Sequence, residues 1–295
     1  MKQVANTGRK LLAILLMTAM VLSLGACGGG NSSSTTDIMP SSSEAESSSQ
    51  SSSSSEESSS ASVSMPTAAP ESETVMEKLS EAYALNTDVV GWLYLPNTTV
   101  DDPVLLYNET MTVEDNQYYL RKNAVKEYDW YGCYFADFEC TFDPLSTNTV
   151  IYGHSMDDNP DGLKFSQLKK WLDIDFAQEN PYIYLSTPDE DYVFKIFSVM
   201  YTNTSFNYIE SSPDDTEFMR IVNEARKASQ FTYDVDVEAG DKLITLSTCT
   251  YTIQAGYPNP YRYVIMGRMV RPGEEVPDTI TLTVNPNPTP AAEMS

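Results

Sequence analysis

The sequence predicts a mainly β domain, closed into a barrel or a closed sheet and carrying helical additions. Three observations lead there. Short apolar or alternating runs recur about eight times between residues 89 and 270. Asn, Asp, Gly, Pro and Ser punctuate them, as turns require. Helical periodicity shows in only a few places, so strands must bury most of the core. A chain of 295 residues with 41% hydrophobic content supports one good-sized domain.

The N-terminus comes first in order. Lys2, Arg9 and Lys10 precede the apolar run LLAILLMTAMVLSL, Leu11–Leu24. A membrane-spanning helix needs about 20 apolar residues, and this run is shorter. It ends Leu24-Gly25-Ala26-Cys27, followed by three glycines. That junction resembles the lipobox of bacterial lipoproteins; an ordinary signal peptide or an uncleaved signal anchor is the alternative. The resemblance implies that residues 1–26 are a lipoprotein signal peptide, that Cys27 carries a lipid, and that the protein is tethered at the extracellular face of the membrane of a Gram-positive bacterium. Residues 27–73 are dominated by Ser, which cannot build a core, so they read as a disordered tether.

The folded part is expected over residues 74–271. Val75, Met76, Leu79, Ala82 and Tyr83 recur at helical spacing and predict an amphipathic helix ending near Asn86. Val89–Pro96 reads as a strand stopped by proline. Strands are then expected at Pro103–Tyr107, Trp130–Phe135, Thr149–Tyr152, Tyr182–Ser186, Tyr192–Thr202, Lys242–Leu246 and Arg262–Val270. Two helical patterns interrupt them. One is Phe165, Leu168, Trp171 and Leu172. The other is Phe218, Ile221, Val222 and Ala225, opened by the acidic pair Asp214-Asp215. Residues 272–295 are rich in Pro and Thr and read as a flexible tail.

Charge excludes one class of partner. A net charge of −24 repels phosphate, so no nucleic acid is expected. Of four cysteines, Cys27 belongs to the lipobox. Cys133 and Cys140 lie seven residues apart around a strand and its following turn, and a straight strand of that length holds them too far apart to pair, although an oxidising exterior would permit it; a disulfide and two thiols both stay open. Cys249, in Thr245-Leu246-Ser247-Thr248-Cys249, is left without a partner. The only histidine is His154, at the end of another strand. No metal is expected, since no second histidine exists and the cysteines lack ligand spacing. A cysteine nucleophile needs a group that handles protons near neutral pH, and histidine serves. It also needs a cation or donor for the oxyanion. Arg262 begins the next strand, 262 − 249 = 13 residues on, where an antiparallel neighbour can meet the sulfur. Arg268, of the same parity, ranks second.

These residues resemble the sortase family. TLSTC matches its nucleophile motif, Tyr152-Gly153-His154 its histidine motif, and Arg262-Tyr263-Val264-Ile265 its arginine strand. The likeness covers residues 75–271 and is closest to class B, through Asp88–Leu93, Asn116 with Tyr119-Leu120, Asn180–Tyr184 and the helical insertion near 214–228. It implies an eight-stranded barrel and a thiol-protease-type transpeptidase without cofactor. Cys249 would attack a backbone carbonyl in the sorting signal of a secreted protein and hold its acyl part as a thioester. An amine of a peptidoglycan precursor or a pilin would then take it. His154 would act as acid and then base, with Arg262 at the thiolate or oxyanion. The same likeness points to Asn116, Leu120, Tyr152, Thr204, Tyr208, Ile209 and Ser247 as substrate-binding residues; core packing is the competing role for Leu120 and Ile209. The connection Thr250–Tyr261 is longer than the family's pattern. A hydrolysing cysteine peptidase and a non-catalytic signal-binding lipoprotein are the competing functions.

Overall fold

A computed structural model describes residues 66–295. The lipobox, Cys27 and most of the Ser-rich segment lie outside the described residues. In chain order the elements are α1 (Ser72–Leu85), β1 (Val89–Tyr94), β2 (Asp101–Leu105), β3 (Tyr134–Ala136), β4 (Asn148–Tyr152), α2 (Ile174–Glu179), β5 (Tyr182–Ser186), β6 (Asp191–Asn203), α3 (Asp215–Ala228), β7 (Phe231–Thr232), β8 (Leu243–Cys249), β9 (Tyr261–Met269) and β10 (Thr283–Val284). Eight strands close a barrel in the order β1-β2-β3-β4-β8-β9-β6-β5, with β5 pairing back to β1. Strands β7 and β10 form a separate two-stranded sheet.

The barrel interior is filled from alternate strand positions, among them Leu93, Ile151, Ile183, Leu185, Ile244, Leu246 and Ile265. A 3-10 helix, Phe165–Leu172, adds Phe165, Leu168 and Trp171 to this core. Their spacing of three suits a 3-10 helix, whose side chains align every third residue. Leu172, which the α-helical pattern also counted as apolar, is exposed. The neighbouring outer face is covered by α3, whose Phe218, Ile221, Val222 and Ala225 pack on Leu243, Val264 and Met266. Asp214 caps α3 by accepting from the amide of Glu217 at 2.9 Å, so the acidic pair marks the start as expected.

Two segments depart from the expected boundaries. The stretch 272–295 is not flexible: it buries Leu282, Ala291 and Met294, and β10 pairs with β7. Asn203 donates to the carbonyls of Ala291 and Met294. The tether ends earlier than residue 73, because the amide and hydroxyl of Thr67 bond to the Asp278 carboxylate at 2.7 and 2.9 Å. Composition hid both: each segment is ordered by a partner remote in sequence. Cys133 and Cys140 are both free and buried, in different clusters. Burial pushes their thiols up to about 11 and about 12, so both stay protonated and inert.

Candidate active site

The site is set by one parallel strand pair. In β4–β8, Tyr152 lies opposite Ser247. Carrying that register two residues on brings His154 level with Cys249 at the same barrel end. The strand exits are tied beyond the ladder, since Gly153 donates its amide to Ser247 O at 3.4 Å and Thr248 Oγ1 donates to Gly153 O at 2.7 Å. Across the antiparallel β8–β9 ladder, Arg262 is the direct partner of Cys249. Strand alternation puts Cys249 on the face of Leu243, Thr245 and Ser247, outside the barrel. Arg262 shares that face with Val264 and Met266.

His154 is held by the backbone. Its Nε2 lies 2.8 Å from Leu120 O. A carbonyl only accepts, so Nε2 carries the proton and Nδ1 keeps the lone pair. Burial holds the imidazole below its usual value, against the Leu120 bond and with help from Arg121 and Lys164. The ring is therefore neutral at neutral pH. Arg262 Nη1 donates to the carbonyls of Asn259 and Tyr261, each at 2.9 Å. Its Nε and Nη2 make no hydrogen bond among the described residues, so the fork is fixed at one arm and open at the other.

A polar floor runs from Cys249 along the outer face. Tyr208 Oη and Ser247 Oγ share a hydrogen bond of 2.9 Å. Burial pushes the Tyr208 phenol up, while Ser247 and Arg262 pull it down and charge on Cys249 adds to the rise; the four groups share one neighbourhood. Beside Ser247, Tyr152 Oη donates to Asp137 Oδ2 at 2.8 Å, and Asn116 Nδ2 donates to the same oxygen at 2.8 Å. Asn116 Oδ1 in turn accepts from the amide of Phe138 at 2.9 Å. Thr204 is exposed at the rim, its amide bonded to Pro260 O at 3.0 Å, close to Arg262 in sequence. Ile209 packs between the barrel core and the α3 cluster, and Leu120 against the α1 cluster. For these two, packing is plain; Leu120 also acts through its carbonyl.

Arg268 does not belong here. It faces Leu243, at the other end of β8, and its buried guanidinium pairs with Glu274. The long Thr250–Tyr261 connection leaves the site as an exposed loop, closed at its neck by Asn259 Nδ2, which donates to Thr250 O at 2.7 Å. Three residues escaped the sequence reading. Asp137 is 2% exposed and joins Asn116 to Tyr152. Asn148 is fully buried, and its Nδ2 holds the carbonyls of Tyr208 and Glu210 at 3.0 and 3.1 Å. Lys169 reaches the backbone of Cys249 itself. Only Asp137 carried a signal, as an acidic residue set between Phe135-Ala136 and Phe138; Asn148 and Lys169 stand in polar surroundings and carried none.

Known proteins share this fold. The family described as "Sortase domain" matches residues 93–270. Sortase B of Listeria monocytogenes is 36% identical over 197 residues, covering 66% of this chain and 75% of that protein. A structure titled as the Staphylococcus aureus sortase B–substrate complex superposes with a TM-score of 0.58 at 28% identity, covering 67% of this chain and 86% of that one. A sortase B structure complexed with triglycine gives a TM-score of 0.58 at 28% identity, over 67% and 87% of the two chains.

Proposed function

The chain belongs to the sortase family, as a cysteine transpeptidase most like class B and its cell-wall-anchoring work, and we propose that Cys249, His154 and Arg262 carry its chemistry. The observation behind this is the shared register: His154 level with Cys249 on a parallel neighbour, Arg262 opposite it on an antiparallel one.

The steps follow from the groups. Neutral His154 takes the thiol proton as Cys249 Sγ attacks a peptide carbonyl of the sorting signal. The oxyanion meets the open arm of Arg262. When the C–N bond breaks, His154 gives its proton to the departing amine and the acyl group stays on sulfur. A second amine attacks the thioester and gives its proton to His154; as the C–S bond breaks, His154 passes that proton to sulfur, leaving a new amide, the free thiol and a neutral ring. Asn116, Tyr152, Thr204, Tyr208 and Ser247 lie along the path of the signal, while Leu120 and Ile209 support it by packing beneath it. The substrate and the triglycine named for the related structures support a peptide donor and an amine acceptor. On this reading the donor is a secreted surface protein and the acceptor a peptidoglycan-precursor or pilin amine.

Mass spectrometry tests it. The full chain is incubated with a pentapeptide library, with and without triglycine. A Cys249 adduct and a triglycine-dependent ligation product are expected. Free acid alone would make it a hydrolase, and an unmodified Cys249 under every condition would sink both enzyme readings.

We also propose that Cys27 is lipidated and anchors the enzyme outside the membrane of a Gram-positive cell. The lipobox likeness supports this, and Cys27→Ala is expected to release the protein from the membrane fraction.

A further inference from the structure

The group near the nucleophile that this chemistry leaves unused is a buried ammonium. Lys169 lies on the 3-10 helix that adds to the barrel core, and its side chain is 2% exposed. Its Nζ donates to Ser155 Oγ at 2.6 Å and to the backbone carbonyl of Cys249 at 3.2 Å. The third neighbour is Asp158 Oδ1 at 3.0 Å, an ionic contact without hydrogen-bond direction. Asp158 reaches further. Its Oδ2 accepts from the amide of Tyr251 at 2.6 Å, from Thr252 Oγ1 at 3.0 Å and from Thr250 Oγ1 at 3.2 Å.

The connectivity is specific. Ser155 follows His154 directly, and Asp158 is on the same loop. Residues 250–252 follow Cys249 directly. One ion pair thus ties the chain leaving the histidine to the chain leaving the nucleophile. Burial pulls the Lys169 ammonium below its usual value, opposed by Asp158 and by charge on Cys249. The Asp158 carboxyl sits below its usual value because Lys169 and the donors around it outweigh its burial. Removing two charges from water is costly, and an apolar residue at 169 would fill the space without that desolvation. An apolar residue cannot hold Ser155, Asp158 and the Cys249 carbonyl together.

We propose that Lys169 and Asp158 are positioning residues of the transpeptidation, holding Cys249 and the His154 ring at one separation through both half-reactions. The inference rests on the reading that these two residues react together.

The test uses the only histidine as a reporter. Untagged full chain carrying 13C-labelled histidine gives one Cε1–Hε1 correlation, which is recorded before and after Cys249 is capped with methyl methanethiosulfonate. In the wild type the His154 signal is expected to move. In Lys169→Met and Asp158→Asn the displacement is expected to fall below half, and the triglycine ligation rate about tenfold or more, for a shift of an ångström or less. Wild-type displacement in both variants, whatever their melting temperatures, would overturn the proposal. Should Lys169→Met fail to fold, Asp158→Asn decides, because its amide keeps the size of the carboxyl. A wild-type signal that does not move would instead remove the premise that His154 and Cys249 share a site.

Discussion

Arg262 is the residue whose geometry is most demanding. One arm of its fork is spent on the carbonyls of Asn259 and Tyr261, while the rest makes no hydrogen bond among the described residues, on the strand position paired with Cys249. Lysine cannot split its donors that way. Arg262→Lys should lower kcat by about 10²–10³ with little change in KM, the loss seen when one oxyanion donor goes. Cys249→Ala should abolish ligation and leave the melting temperature nearly unchanged, since the thiol is only half-buried at a strand end; a large drop in melting temperature would make Cys249 structural. His154 carries a pH signature. Its folded value lies below the unfolded 6.5, so the unfolded chain binds that proton first. Its neutral-ring contribution is therefore full above 6.5 and is lost as pH falls below that value and through the lower folded one. Urea unfolding at pH 8 and pH 5.5 should show a loss in the wild type that His154→Gln reduces.

Two glycines govern how elements meet at the site. Gly132 has φ +59, and a Cβ there would sit 2.5 Å from Leu120 O, the carbonyl that orients His154. Gly132→Ala should cost about 1–3 kcal/mol in denaturant unfolding and reduce kcat more than it raises KM. Gly153 lets the Phe165 ring approach within 2.7 Å of where its Cβ would stand, which keeps the 3-10 helix against the histidine strand. Such roles explain what the sequence made legible. Strands such as Tyr182–Ser186 were readable because continuous apolar runs announce them. That Cys249, His154 and Arg262 fall at strand ends was readable, because each stands where an apolar run stops or starts. The 3-10 character of Phe165–Leu172 lay in its spacing of three. Asp137, Asn148 and Lys169 were hard to read because a polar residue's partners are fixed by strand register and not by its neighbours in the chain.

At the scale of the molecule, order comes from segments that composition marks as loose. Arg268 is 1% exposed and depends on Glu274, three residues beyond the expected domain end. That pairing, with Lys195 beside it, holds Glu274 down at about 2. A depressed carboxyl stabilises above its unfolded value of 4.5 and loses that contribution as pH falls toward 2. Glu274→Gln should cost about 3 kcal/mol at pH 7, because it strands a buried charge, and the gap to wild type should close below pH 4.5 in urea titrations. Deleting Leu282–Ser295 should cost about 2–4 kcal/mol by exposing what Leu282 and Met294 cover. The parallel pairing of β4 with β8 also bears on timing during biogenesis. Its two catalytic ends lie 249 − 154 = 95 residues apart, so a loop of that size must close before thiol and imidazole meet. Until that loop closes, the Cys249 thiol has no imidazole beside it to take its proton.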